Sequence, residues 1–326
     1  MIISKTPFRV SFIGGGSDLK EYYKNNKYGS VISTSIQKYM YIVIHPYFQD
    51  KIRLKYSITE DVKSIDEIKH PIIRESIRKV NVNNGIEIAS FADIPSGTGL
   101  GSSSSFTVGL LNALYTHQGL SKSSNQLAEE ACEIEIGILN EPIGKQDQYA
   151  ASIGGLNHIK FHQDEKVEIS SLKLSQSFIK TFESTIRLYF TGNNRSSSSI
   201  LTEQKQNMTD KNKLSMLREM VDLTEDFKKS LEDEDLNSLG RLLNYNWELK
   251  KQLASNISNN NIDLMYQEAL RKGAVGGKLL GAGGAGFLMI MAFDHKPIED
   301  VLNCKSIGLK IDQSGTKIIN SEDGAI

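Results

Sequence analysis

The sequence predicts an α+β protein in two domains, and three observations carry that expectation. The first third runs in strand-length stretches of β-branched and aromatic residues, with one stretch of helical period among them. A glycine- and serine-rich loop at 95–105 then stands between a strand pattern and an apolar helix. Near 165–180 the character changes: polar amphipathic helices follow, then two apolar strands around a glycine turn at 273–292. The boundary is accordingly drawn near residue 175, giving units 1–175 and 176–326.

Taken in order, residues 2–13 read as a strand that breaks at Gly14-Gly15-Gly16, and 39–45 and 52–57 as further strands. The stretch 64–80 places Ile65, Ile68, Ile72, Ile73 and Ile77 at helical spacing, and 85–91 alternates like a half-buried strand. After the glycine/serine loop, 106–117, 123–139 and 144–152 read as helices, 156–161 and 186–190 as strands. Helices are expected at 213–231 and 236–253, a short helix at 297–304, and a closing strand at 307–311. The polar ending, 321–326, reads as a frayed tail.

Composition narrows the function. The chain has 326 residues, 39% of them hydrophobic, which is ample for a core. Thirty-eight basic against 39 acidic residues leave a net charge of -1, so neither nucleic acid nor an anionic membrane is an expected partner. Cys132 and Cys304 are far apart, which argues against a disulfide framework and for a reducing cytoplasm. The N-terminus lacks a signal-peptide plan, and no apolar run is long enough to span a bilayer. The six histidines show no zinc-binding spacing. A monomer or homodimer fits this profile.

The loop Pro95-Ser96-Gly97-Thr98-Gly99-Leu100-Gly101-Ser102-Ser103-Ser104-Ser105 is the most informative stretch. Glycines let backbone approach a ligand, a helix N-terminus offers free N–H groups to an anion, and serine hydroxyls bind phosphate oxygens or a hard cation. Pro95, Gly97, Gly99, Leu100, Gly101, Ser102, Ser103 and Ser104 are therefore the candidate nucleotide-phosphate cradle. It is not a Walker A loop, because no GxxxxGK[ST] occurs. Downstream, Glu135 and Asp147 flank the break at Pro142 and Gly144. Phosphoryl transfer needs a cation on the phosphate oxygens and a carboxylate to accept the nucleophile's proton. Glu135 suits the first role and Asp147 the second, with Glu129, Glu130, Glu133 and Glu141 as local competitors for the metal. The bland readings are a solvated helix face and a helix-terminal carboxylate.

Three stretches, in order, resemble the motifs of the galactokinase, homoserine kinase, mevalonate kinase and phosphomevalonate kinase (GHMP) superfamily. Pro7-Phe8-Arg9-Val10-Ser11-Phe12-Ile13-Gly14-Gly15-Gly16-Ser17-Asp18 is similar to the galactokinase segment PGRVNLIGEHTDY. The second is the glycine/serine loop, and the third is Lys278-Leu279-Leu280-Gly281-Ala282-Gly283-Gly284-Ala285-Gly286-Phe287. Together they span about residues 5 to 290. The resemblance implies ATP and Mg2+ as cofactors, an N-terminal domain like ribosomal protein S5 domain 2, and a ferredoxin-like C-terminal domain. It implies Asp147 as catalytic base with Arg9 beside it, and Ser103 (Ser102 its rival) with Glu135 on the metal. It also places Asp18, Gly14, Gly15, Gly16, Gly281, Gly283 and Gly284 at the acceptor. The third motif also fits GxGxxG, but a strand pattern follows it where a dinucleotide-binding unit needs a helix.

Galactokinases carry Glu-His where this chain has Gly15-Gly16, which implies an enlarged sugar pocket and disfavours galactose. With Thr191-Gly192-Asn193-Asn194-Arg195-Ser196-Ser197, the variant first motif looks most like bacterial heptose 7-phosphate kinases. That resemblance implies a sugar 1-kinase acting on D-glycero-D-manno-heptose 7-phosphate in GDP-heptose synthesis. Arg195 and Ser196 would clamp the sugar phosphate; an N-cap serine run with a surface arginine is the plain alternative. Lys5 and Lys278 are other possible phosphate partners, and Tyr22, Tyr23 and Tyr28 either line the pocket or pack. The competing readings are a 1-kinase for an unphosphorylated sugar such as L-fucose and a catalytically silent sugar sensor. The intact Asp147, Glu135 and loop weigh against the sensor.

Overall fold

The computed structural model describes residues 1–192 and 198–321. Strands, in chain order, are β1 (Ile2–Ile13), β2 (Tyr28–Pro46), β3 (Ile52–Lys55), β4 (Thr59–Val62), β5 (Ile86–Ala92), β6 (Leu156–His162) and β7 (Val167–Ser171). There follow β8 (Ile186–Phe190), β9 (Ala274–Leu279), β10 (Phe287–Ala292), β11 (Ser306–Gly308) and β12 (Lys317–Ser321). Among the described residues they form two sheets. The larger runs β12-β1-β2-β5-β3-β4, with β6 also on β2 and β7 beyond it; the smaller runs β11-β8-β10-β9.

β2 is long enough to serve two partners on one edge. Its first half, from Tyr28 to Thr34, pairs with β6, and its second half, from Met40 to Pro46, pairs with β5. The β1–β2 register shifts between Pro7 and Phe8. Proline brings no N–H to a ladder, so a bulge at Pro7 is where a sheet tolerates it. Two residues later the backbone N–H of Arg9 reaches instead to the Leu100 carbonyl (3.0 Å), tying the strand to the glycine/serine loop.

The helix Ser102–His117 lies on this sheet. It approaches closely at Gly109, where a Cβ would stand 2.7 Å from Thr6 Oγ1, and Ser4 Oγ donates to the Gly109 carbonyl. The later helices start at side-chain caps: Asp210 before Lys211–Glu232, Asp235 before Leu236–Lys251 and Asn259 before Asn260–Arg271. Phe12 of β1 stacks against Phe227 and tilts against Phe182, so one aromatic cluster joins the two halves. Trp247 is fully buried in the core.

The structure corrects three sequence expectations. The helix expected over 64–80 is a short 3-10 turn, Ile65–Glu67, and then Pro71–Val80, because Pro71 cannot continue a helix but starts one well. The helix expected over 123–139 changes at Cys132 into a π-helical turn, Glu133–Ile138. The strand expected over 307–311 is only Ser306–Gly308. The strand that closes the chain is β12, which returns to pair with β1 across the division expected near 175. Residues 322–326 lie outside the described residues.

Candidate active site

The motifs converge on one cleft of about 480 Å³, walled by the end of β1, the glycine/serine loop, the loop after β9 and the helix Gln146–Ile153. Arg9 is 5% exposed and projects into it. Arg9 Nε donates to Asp147 Oδ1 (2.7 Å) and Nη2 to Oδ2 (2.6 Å), while Nη1 donates to the Gly99 carbonyl (2.6 Å). A planar guanidinium matched to a carboxylate is the strongest directional ion pair a protein makes. Here it fixes Asp147 against the loop.

The loop presents its glycines to the cleft. Gly101 takes φ +73° as N-cap of the helix Ser102–His117 and has no side chain to cap it, so the first N–H groups are left for an anion. A Cβ there would meet Arg9 Cγ at 3.1 Å and Asp147 Oδ2 at 3.2 Å. The serines divide the work: Ser103 is exposed toward the cleft, whereas Ser105 Oγ is buried and donates to the Pro7 carbonyl.

Glu135 sits in the π-helical turn, fully buried, where the extra residue per turn redirects its side chain. Ser103 Oγ donates to its Oε1 (2.6 Å) and Gln148 Nε2 to its Oε2 (2.8 Å). Burial outweighs those hydrogen bonds and pushes the carboxyl up to about 7. A buried carboxylate beside a hydroxyl is a hard-oxygen pair that suits a small divalent cation, and among the described residues Gln148 Oε1 next to it has no partner. Among the described residues no cluster of three or more His, Cys, Asp or Glu gathers. Mg2+ needs none, since one carboxylate plus phosphate oxygens and water commonly suffices.

At the other end Asp18 is buried. Its Oδ1 accepts from Gly16 N (3.0 Å) and its Oδ2 from Gln146 N (3.3 Å). Burial, then the charge of Asp147, raise its carboxyl above the ordinary range. Gly15 lines the cleft beside Ser11 and Gln146, but Gly16 does not open space. The Gln204 amide stands 2.2 Å from where a Cβ on Gly16 would be, so the room expected from losing that side chain is filled.

The third motif packs directly on the second. A Cβ on Gly281 would stand 2.6 Å from Gly99 Cα, and Phe287 N donates to the Thr98 carbonyl. Gly281 and Gly283 line the cleft; Gly284 instead donates its N–H to the Ile257 carbonyl. Gly14 packs against the Ser30 carbonyl, Leu100 is buried with its carbonyl on Arg9, and Pro95 closes a turn through Thr98, so these three stand behind the lining. Gly97, Gly99, Gly101, Ser102, Ser103, Ser104, Gly15, Gly16, Asp18, Arg9 and Asp147 are on it, and Glu135 touches it through Ser103. Arg195 and Ser196 lie outside the described residues.

Two of the suspected phosphate partners are elsewhere. Lys278 is buried with its ammonium on the Phe12 carbonyl (3.2 Å), and burial pushes its pKa well down. Lys5 covers the Tyr39 ring. Tyr22 and Tyr23 are core residues, and Tyr28 is not on the cleft. The sequence reading missed Lys250 and Gln204, both buried on the lining. Lys250 had a signal. It follows Leu239, Leu243 and Trp247 at helical spacing, a cation on the apolar face of an otherwise ordinary helix.

A glycine/serine loop ending at an uncapped helix N-terminus, a carboxylate held by arginine and a second acidic–hydroxyl pair, all in one cleft between two sheets, fit a small-molecule phosphotransferase with an alcohol acceptor. Residues 68–155 match the GHMP kinases N terminal domain and residues 227–304 the GHMP kinases C terminal, and the chain belongs to the GHMP kinases. It is similar to the D-glycero-alpha-D-manno-heptose 7-phosphate kinase of Campylobacter jejuni subsp. jejuni serotype O:2, at 28% identity over 303 residues and 88% of each chain. It is 30% identical over 217 residues to the L-fucokinase/L-fucose-1-P guanylyltransferase of Bacteroides fragilis, which is 64% of this chain and 22% of that one. The crystal structure of a D-glycero-D-manno-heptose 1-phosphate kinase from Bacteroides thetaiotaomicron superposes with a TM-score of 0.79 at 25% identity, covering 99% of this chain and 100% of that one. Members of the family take ATP as phosphate donor. Among the described residues no helix is long and apolar enough to cross a membrane.

Proposed function

We propose that this kinase phosphorylates the anomeric hydroxyl of D-glycero-D-manno-heptose 7-phosphate, giving heptose 1,7-bisphosphate and ADP. The product would feed GDP-heptose and surface-polysaccharide synthesis in the cytoplasm. The observation that carries the chemistry is the Arg9–Asp147 pair beside the phosphate loop. The sugar identity is supported by similarity to heptose phosphate kinases over nearly the whole chain. Residues 1–175 would carry the nucleotide and catalytic motifs, and 176–326 would complete the acceptor side.

In this reading Asp147 takes the proton from the acceptor hydroxyl as its oxygen attacks the γ-phosphorus and ADP leaves. Arg9 holds Asp147 in one orientation, and Asp18 accepts a sugar hydroxyl. The N-terminus of the helix Ser102–His117 receives the phosphates. Mg2+ would be held by Glu135 and Ser103 and would offset phosphate charge. The fucokinase relatives favour a second reading, a 1-kinase for L-fucose.

The test is ADP release against heptose 7-phosphate, mannose 6-phosphate, L-fucose and galactose, with Asp147→Asn as control. Turnover of heptose 7-phosphate alone, abolished in the variant, supports the proposal. Turnover of fucose alone replaces it with the second reading.

A further inference from the structure

Two cations reach the cleft from opposite halves of the chain, and both hang from backbone carbonyls of loops that touch. Arg9 Nη1 donates to Gly99 O (2.6 Å), and Lys250 Nζ donates to Gly281 O (2.6 Å). Gly99 and Gly281 are in contact: a Cβ on Gly99 would stand 2.4 Å from the Leu280 carbonyl oxygen. Lys250 is 5% exposed and, among the described residues, forms no ion pair, whereas Arg9 already spends its fork on Asp147. An ammonium has three donors, so the one carbonyl it meets among the described residues leaves two for a ligand. Burying an unpaired charge is costly unless an anion arrives to meet it. Burial and, next, the Arg9 charge bring the lysine down to about 8, while Asp18 and Asp147 act in the opposite direction.

We propose that Lys250 is a further catalytic residue whose ammonium contacts the γ-phosphoryl group of the bound nucleoside triphosphate. It is held at the seam between the phosphate loop and the third motif, in the same cleft as Asp147 and Ser103. There it meets charge that spreads over the phosphoryl oxygens during transfer. The inference rests on the chain being an ATP-dependent kinase and not on which sugar it uses.

The experiment compares binding of ADP and of a non-hydrolysable ATP analogue, each with Mg2+, by wild type, Lys250→Met and Lys250→Arg. The methionine variant is expected to bind the analogue about 10-fold or more weakly while ADP stays within about twofold, because only the triphosphate offers the lost partner. With a working acceptor, kcat falls about 100-fold, and the arginine variant recovers part of both losses. Equal weakening of ADP and analogue marks Lys250 as a tether of the Gly281 loop and overturns the proposal, as does no change in either. The binding arms need no sugar, so failure of the heptose reading leaves them decisive.

Discussion

Arg9 and Asp147 form a two-pronged ion pair, at 2.7 and 2.6 Å, in which the arginine is nearly buried and the carboxylate is 22% exposed. In the proposed mechanism the exposed side is what remains for an acceptor hydroxyl. Asp147→Asn removes the proposed proton acceptor while keeping the shape, and kcat is expected to fall about 100- to 10,000-fold with nucleotide affinity retained. Arg9→Lys keeps the charge but loses the fork, so a smaller kcat loss of about 10- to 100-fold is expected. Steady-state kinetics with ATP titrated separately from the acceptor checks both.

Glu135 gives a pH signature. Its carboxyl rises from an ordinary 4.5 to about 7 on folding, so the folded state binds more protons than the unfolded state between those values. Stability from this group therefore falls as pH rises from about 4.5 to 7 and is flat above. Glu135→Gln removes that dependence. The difference in unfolding free energy, variant minus wild type, is expected to climb by roughly 3 kcal/mol across the window. Urea unfolding at pH 5, 6, 7 and 8 without divalent cation reads it; a difference independent of pH would contradict the burial argument.

The contact of Gly99 with the Leu280–Gly281 backbone is testable with a matched control. Gly99 and Gly119 both have positive φ, +81° and +68°, but a Cβ at Gly119 meets nothing within 4 Å. Gly119→Ala should cost only the backbone penalty, about 1–2 kcal/mol. Gly99→Ala should cost clearly more, because backbone must move, and should weaken ATP binding as the control does not. Thermal unfolding and nucleotide titration of both variants separate strain from collision.

What the sequence disclosed and withheld follows from the range of the interactions involved. The ordering of glycines and serines in 95–105 is a local signal, and the loop stands between strand and helix as read, although the helix begins at Ser102 rather than at 106 and takes in the serines. The capped helices at Lys211–Glu232 and Leu236–Lys251 lie within two residues of their expected bounds because spacing and caps are local too. The π-turn carrying Glu135 has no signature of its own, since it obeys the same periodicity as the helix it interrupts. β12 is short and becomes a strand only by pairing with β1, more than 300 residues away. The Gln204 amide filling the space beside Gly16 is likewise a contact between distant segments, invisible to any local pattern.

That amide leads to the last prediction. Among the described residues, Gln204 Nε2, Ser11 Oγ and Gln146 Oε1 are all buried without a hydrogen-bond partner, and all three residues line the cleft around Gly15 and Asp18. The hydroxyls of the proposed sugar would pair with all three, each pairing relieving the roughly 1–3 kcal/mol that a buried orphan costs. Gln204→Leu removes one donor at similar size. The free protein should be no less stable, since an unpaired amide is lost, while KM for the sugar rises about 10- to 100-fold and KM for ATP stays constant. A parallel rise in both Michaelis constants, or a lowered melting temperature, would assign Gln204 to packing instead.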